Sequence, residues 1–189
     1  AHRPTMRSFL KHTVRTAVEV GLVDLAVQAI DGTKVAASAA GDQTYTAAGL
    51  ERLLARTDTA IGDLEAQNEG GGDPPPPRLP VGLKQTQALR ERIQRAMERL
   101  TQDHRLTRVN LTDEDAQLMK GRQGIMPGYN AQAMVSPLNP AQASEEGMLI
   151  TAVEVGNAAA DSGQLVPMLE QAEEITGERV PVTLADGGY

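Results

Sequence analysis

Cysteine and tryptophan are absent from the 189 residues, and there is one phenylalanine and three tyrosines. Without cysteine there is no disulfide framework and no zinc site built on thiolates, which fits a reducing compartment. With so few aromatic rings, a core must be assembled from Leu, Val, Ile, Ala and Met. No apolar run approaches the roughly 18 residues that a membrane span requires, and no signal-peptide pattern opens the chain, so the expected location is cytoplasmic with no membrane partner. An excess of positive charge is also missing. The net charge of −7 argues against a general nucleic-acid binder. The charge is uneven, however: residues 1–15 carry Arg3, Arg7, Lys11 and Arg15 and no carboxylate, whereas residues 161–189 are mostly acidic. There is no G-x-G-x-x-G, no H-E-x-x-H and no nucleophile elbow, and His2, His12 and His104 have no metal-ligand spacing.

What is present is organised around residues 25–37, where an apolar run ends in Asp31-Gly32 and an apolar run resumes. An apolar strand that delivers a carboxylate at its carboxyl end holds a catalytic or metal-binding oxygen rigidly. Asp-Gly is also the strongest short hairpin signal, so a plain turn at residues 31–34 between strands at 23–30 and 35–39 stands beside that reading. The pattern recurs at the other end of the chain, where an apolar strand at 180–185 runs into Asp186.

Between these ends the periodicity predicts a helix over 5–21, with Phe9, Leu10, Val14, Ala17 and Val18 on its apolar face. Arg7, Lys11 and Arg15 fall four apart on the other face, either a solvated stripe or a phosphate contact. Two further helices are expected, at 46–69 with a Leu50, Leu53, Leu54, Ile61 and Leu64 stripe, and at 84–104 with Leu89, Ile93, Ala96, Met97 and Leu100. The Gly/Pro-rich linker at 70–80 joins them into a hairpin or coiled-coil arm. Residues 110–124 read as a polar, glycine-bearing loop whose Lys120 and Arg122 could meet phosphate, although the spacing is not that of a P-loop. A period-two strand at 129–135 sets Asn130, Gln132 and Met134 on one face, and a partner strand is expected at 148–155. A turn at 157–161 precedes a helix at 162–176, which Gly177 caps. The last strand then returns as a parallel neighbour.

If the first and last strands lie side by side, Asp31 and Asp186 emerge about 4.8 Å apart. Carboxylates that close repel one another unless a cation joins them. Mg²⁺ (or Mn²⁺) suits such oxygen ligands, and the chemistry that uses the arrangement is metal-assisted phosphoryl transfer.

Four blocks of the chain, in this order, resemble the DDE transposases of bacterial insertion sequences, nearest the IS1182-like branch of the IS4/IS5 type. The first is Asp31-Gly32-Thr33-Lys34-Val35. The second is Leu118-Met119-Lys120-Gly121-Arg122-Gln123-Gly124 running into Gly128-Tyr129-Asn130-Ala131-Gln132. Gly163-Gln164-Leu165-Val166-Pro167-Met168 and Leu184-Ala185-Asp186-Gly187-Gly188-Tyr189 complete the set.

The resemblance implies an α/β, ribonuclease-H-like mixed sheet with a helical insertion after the first strand, ending here after the fourth strand. It implies divalent metal held by Asp31 and Asp186, and cutting and joining of double-stranded DNA ends by a full-length homodimer. Its third acid, a glutamate on a later helix, has no counterpart before Tyr189. The chain is therefore expected to be a fragment, inactive alone, with residues 1–22 closing an amino-terminal helical region. Residues 23–189 would be an incomplete catalytic domain and 42–120 its insertion. Lys34, Lys120, Arg122, Arg7, Lys11 and Arg15 are expected at DNA phosphates. The alternatives are a non-enzymatic dimerisation domain and a ribonuclease-H-like nuclease.

Overall fold

The computed structural model describes residues 3–69, 81–121, 124–143 and 145–189. The linker at 70–80, Arg122 and His2 lie outside the described residues. In chain order the elements are α1 (Arg3–Glu19), β1 (Val27–Ala36), β2 (Thr44–Tyr45), α2 (Ala47–Glu69), α3 (Val81–Gln102), β3 (Val109–Asn110), β4 (Gln117–Gly121), β5 (Gly124–Pro137), β6 (Met148–Gly156), α4 (Leu165–Thr176) and β7 (Val182–Leu184). Among the described residues, no helix is long and apolar enough to cross a membrane. The chain divides into two compact units, one of Ala1–Val35, Met119–Gly124 and Gly128–Tyr189, the other of Ala36–Leu118 and Ile125–Pro127.

The first unit carries a mixed sheet with helices on it. β5 and β6 run antiparallel, from Asn130 opposite Gly156 to Pro137 opposite Met148, with an irregularity between Met134 and Val135. β5 also hydrogen-bonds to β4 and β1, and β1 to β7. The Asp24 amide donates to the Pro137 carbonyl and the Ala37 amide to the Pro127 carbonyl, so β1 runs opposite to β5 along most of its length. Because β6 occupies one edge of that stretch, β1 takes the other, and the order is β6-β5-β1-β7. The β1–β7 pair is parallel.

One face of this sheet is covered. Ile30, Met134 and Ala152 from three adjacent strands pack with Val14 of α1 and with Met168, Ala172 and Ile175 of α4. Thioethers fill the space that rings would otherwise take, as the composition requires. Each fully buried side chain of this size contributes about 1.5–3 kcal/mol by leaving water. α4 ends as its sequence indicates: Gly177 adopts φ 84°, and its amide donates to the Glu173 carbonyl.

The second unit is built on α2 and α3, with Leu50, Ile93, Ala96, Val109 and Leu111 forming its core. Arg90 of α3 pairs with Asp58 of α2 at 2.6 Å. Asn110 is buried and fully used. Its Nδ2 donates to the Ala40 carbonyl at 2.7 Å and to Thr44 Oγ1 at 2.9 Å, while its Oδ1 accepts from the Thr112 and Asp113 amides.

Several expectations are corrected. Residues 31–34 are not a turn, and 35–39 is not a separate hairpin arm: β1 runs unbroken from Val27 to Ala36. Gly32 has no positive φ, the conformation that a tight hairpin demands of its glycine. It is small for another reason, because a Cβ there would collide with Gln132 Nε2. Val23 makes only an isolated bridge to Leu138. Residues 110–124 are not one loop either, since β3, β4 and the start of β5 occupy much of them. On α1, Phe9 points away from the core and is 68% exposed. α4 begins at Leu165 rather than at 162. The last strand is a three-residue one whose Val182 and Leu184 are exposed.

Candidate functional site

Asp31 lies on β1 and Asp186 just after β7, its parallel neighbour. Val27 faces Val182, Gln28 faces Thr183 and Ala29 faces Leu184. Asp31 and Asp186 each follow the last residues of that register, Ala29 and Leu184, by two positions. Asp31 lies within β1 rather than at its end, and Asp186 follows β7 by two residues. Side chains alternate along a strand, so Asp31 shares its face with Ala29 and Thr33, opposite the face that α1 and α4 cover. Both carboxylates are held locally. Asp31 Oδ1 accepts from the Gly32 amide at 2.8 Å, and Asp186 Oδ1 accepts from the Gly188 amide at 2.8 Å. The second oxygen of each makes no hydrogen bond among the described residues.

On the covered side of β1 stands a polar network that sequence reasoning missed. Its centre is Asp161, in the turn before α4. Asp161 Oδ1 accepts from Lys34 Nζ at 2.9 Å, from Asn130 Nδ2 at 2.7 Å and from Gln132 Nε2 at 2.7 Å. Gln132 Nε2 also donates to Asn130 Oδ1 at 3.0 Å, and the Tyr189 hydroxyl donates to Gln132 Oε1. Asn130 and Gln132 are buried, which is tolerable only because their amides are satisfied. A Cβ at Gly188 would lie 3.0 Å from Asp186 Oδ1 and 3.8 Å from Asp161 Oδ2, so the network reaches the Asp186 loop.

The electrostatics follow from this packing. Burial alone would raise the Asp161 carboxyl. The hydrogen bonds from Asn130, Lys34 and Gln132, with the Lys34 charge, outweigh burial and hold it below the usual carboxylate range. Tyr189 moves the other way. Its own burial, then the negative charges of Asp161, Asp31 and Asp186, push the phenol up to about 12. Its hydroxyl therefore lies in the field of all three carboxylates and stays a protonated donor at neutral pH.

The basic residues singled out from the sequence are placed as follows. Lys34 is an internal partner of Asp161, with its side chain only 19% exposed. Arg7 pairs with Glu154 at 3.0 Å and Lys11 with Glu174 at 2.6 Å. Arg15 donates to the Glu174 and Ile175 carbonyls, which the last turn of α4 leaves without helical partners. The stripe on α1 thus forms its seam with α4 and β6. Hydrogen bonding to Lys11, and the Lys11 charge, hold the Glu174 carboxyl below its ordinary range. Lys120 is exposed on β4. His12 and His104 are exposed as well.

Among the described residues, no group of three or more His, Cys, Asp or Glu side chains is placed to hold a metal ion. Asp31 and Asp186 fit a hard divalent cation in their chemistry, each with one uncommitted carboxylate oxygen, as two ligands of a larger set. The signal that could have revealed the network was the alternation at 129–135. A strand face bearing Asn130 and Gln132 together with Met134 faces inward, so its amides require a buried partner. No family model, curated protein or solved structure matches the chain.

Proposed function

We propose that Asp31 and Asp186 are two ligands of a divalent metal, Mg²⁺ or Mn²⁺, in a phosphoryl-transfer site. The chain is then part of a DDE-type transposase that cuts and joins double-stranded DNA ends. The observation that carries this reading is the parallel β1–β7 pair, in which Asp31 and Asp186 each follow a paired residue, Ala29 and Leu184, by two positions. The order β6-β5-β1-β7, with β5 antiparallel to both its neighbours and β7 parallel to β1, agrees with a ribonuclease-H-like sheet and with the four-block resemblance in the sequence.

A bound divalent ion supplies charge stabilisation to the attacking and leaving oxygens of a phosphodiester. The chain's own contribution is to fix the ion's position through two carboxylates. One is rigid within a strand, and the other is pinned by the turn at Gly188. A third acid on a later helix would complete the ligand set, and a full-length homodimer would present two such sites to paired DNA ends.

The test is cleavage by the complete protein. Asp31→Asn is expected to abolish strand cleavage while DNA-end binding persists; retained cleavage would refute the assignment. The 189 residues alone are expected to nick no DNA with Mg²⁺ or Mn²⁺. Specific nicking by them would show that the ligand set is completed from within.

A further inference from the structure

We infer that Asp161 is the positioning residue of the Asp31/Asp186 pair: one carboxylate, placed in the loop before α4, ties together the strand segments that carry both aspartates. This inference rests on the metal-site reading above. Asp161 Oδ1 binds Lys34, three residues beyond Asp31 on β1, and the amides of Asn130 and Gln132 on β5. Through Gln132 it holds the Tyr189 hydroxyl, three residues beyond Asp186. Both aspartates are therefore followed at the same interval by a side chain that returns to one network.

That network has a clear task. The β1–β7 ladder is only three residues long, and β7 is exposed at Val182 and Leu184. So short a ladder leaves the loop after Leu184 little to hold it. The tie through Tyr189 and Gln132 supplies a second anchor beyond the ladder's end. Gly32 makes the approach possible, since a Cβ there would lie 2.9 Å from Asp161 Oδ1 as well as against Gln132. Asp161 itself lies on the far side of β1 from Asp31. It acts on the pair by fixing where the carboxylates sit.

The experiment uses the whole 189-residue chain and Mn²⁺ as the probe, with binding followed by calorimetry. Asp161→Ala is expected to weaken Mn²⁺ binding roughly tenfold or more, the usual consequence of losing an outer support of a metal ligand. Asp161→Asn should fall between, because it keeps an acceptor for the amides and loses the charge that holds Lys34. Ile175→Val, which trims the core beneath α4 without touching the network, should lower the melting temperature and leave Mn²⁺ binding unchanged. Wild-type affinity in Asp161→Ala would overturn the inference, as would an equal loss in Ile175→Val.

Asp31→Asn separates this question from the underlying reading. If that variant and the wild type bind Mn²⁺ alike, the metal site is wrong. Amide exchange at Gly32 and Gly188, whose N–H groups rest on the two carboxylates, then decides alone. Faster exchange at both in Asp161→Ala than in Ile175→Val supports the positioning role, and unchanged exchange overturns it.

Discussion

The two faces of the sheet in the first unit use the same strands in opposite ways. On the covered face, Ile30 and Met134 are packed beneath α1 and α4, and a short step along the same strands Lys34, Asn130 and Gln132 are all bound to Asp161. The Asn130 and Gln132 amides of that network are hydrogen-bonded, so apolar and polar burial coexist there. Asp31, on the opposite face of β1, and Asp186, in the loop after β7, stand exposed, each secured by a single backbone amide, with apolar Val182 and Leu184 exposed nearby in sequence. One face is used for stability and the other keeps its charges uncommitted.

The comparison can be broken most severely in the core. Met134→Ala should cost about 2–5 kcal/mol, through lost transfer energy and the cavity left between strands and helices, read as a lower denaturation midpoint. Asp31→Asn on the opposite face should change stability by less than about 0.5 kcal/mol. Gly32→Ala lies between these extremes. The added methyl must displace Gln132 and Asp161 at an expected cost of about 1–3 kcal/mol, measurable in the same melts, with the Tyr189 hydroxyl released.

The remaining effects are in pH. Asp161 is held low in the folded state, so its contribution is present above its unfolded value of about 4 and lost as pH falls through the folded value. Asp161→Asn should flatten that part of the acid limb. Tyr189 is raised to about 12, so its contribution is complete below about pH 10 and lost as pH rises through 12. Tyr189→Phe should remove that alkaline loss in a stability–pH profile.

Much of this architecture is legible in local pattern. The helices of the second unit, the β5–β6 pair and the Gly177 cap all follow from periodicity or single-residue conformational preference. The Asp31-Gly32 pair was harder because a glycine demanded by a turn and one demanded by a close neighbour look the same in sequence. Gln132, the neighbour that decides, is a hundred positions away. Asp161 reads as a turn residue for a similar reason, since its partners Lys34, Asn130 and Gln132 meet it only in the folded sheet. Arg7, Lys11 and Arg15 form a basic face on an isolated helix. Only the positions of Glu154 and of the α4 terminus show what that face meets.

The pairing of Asp31 with Asp186 as metal ligands is tested most directly by a Mn²⁺ titration of the wild-type chain beside Asp31→Asn and Asp186→Asn. The expected result is binding by the wild type that each single substitution removes, with all three proteins equally folded. Equal Mn²⁺ affinity in the three would contradict it.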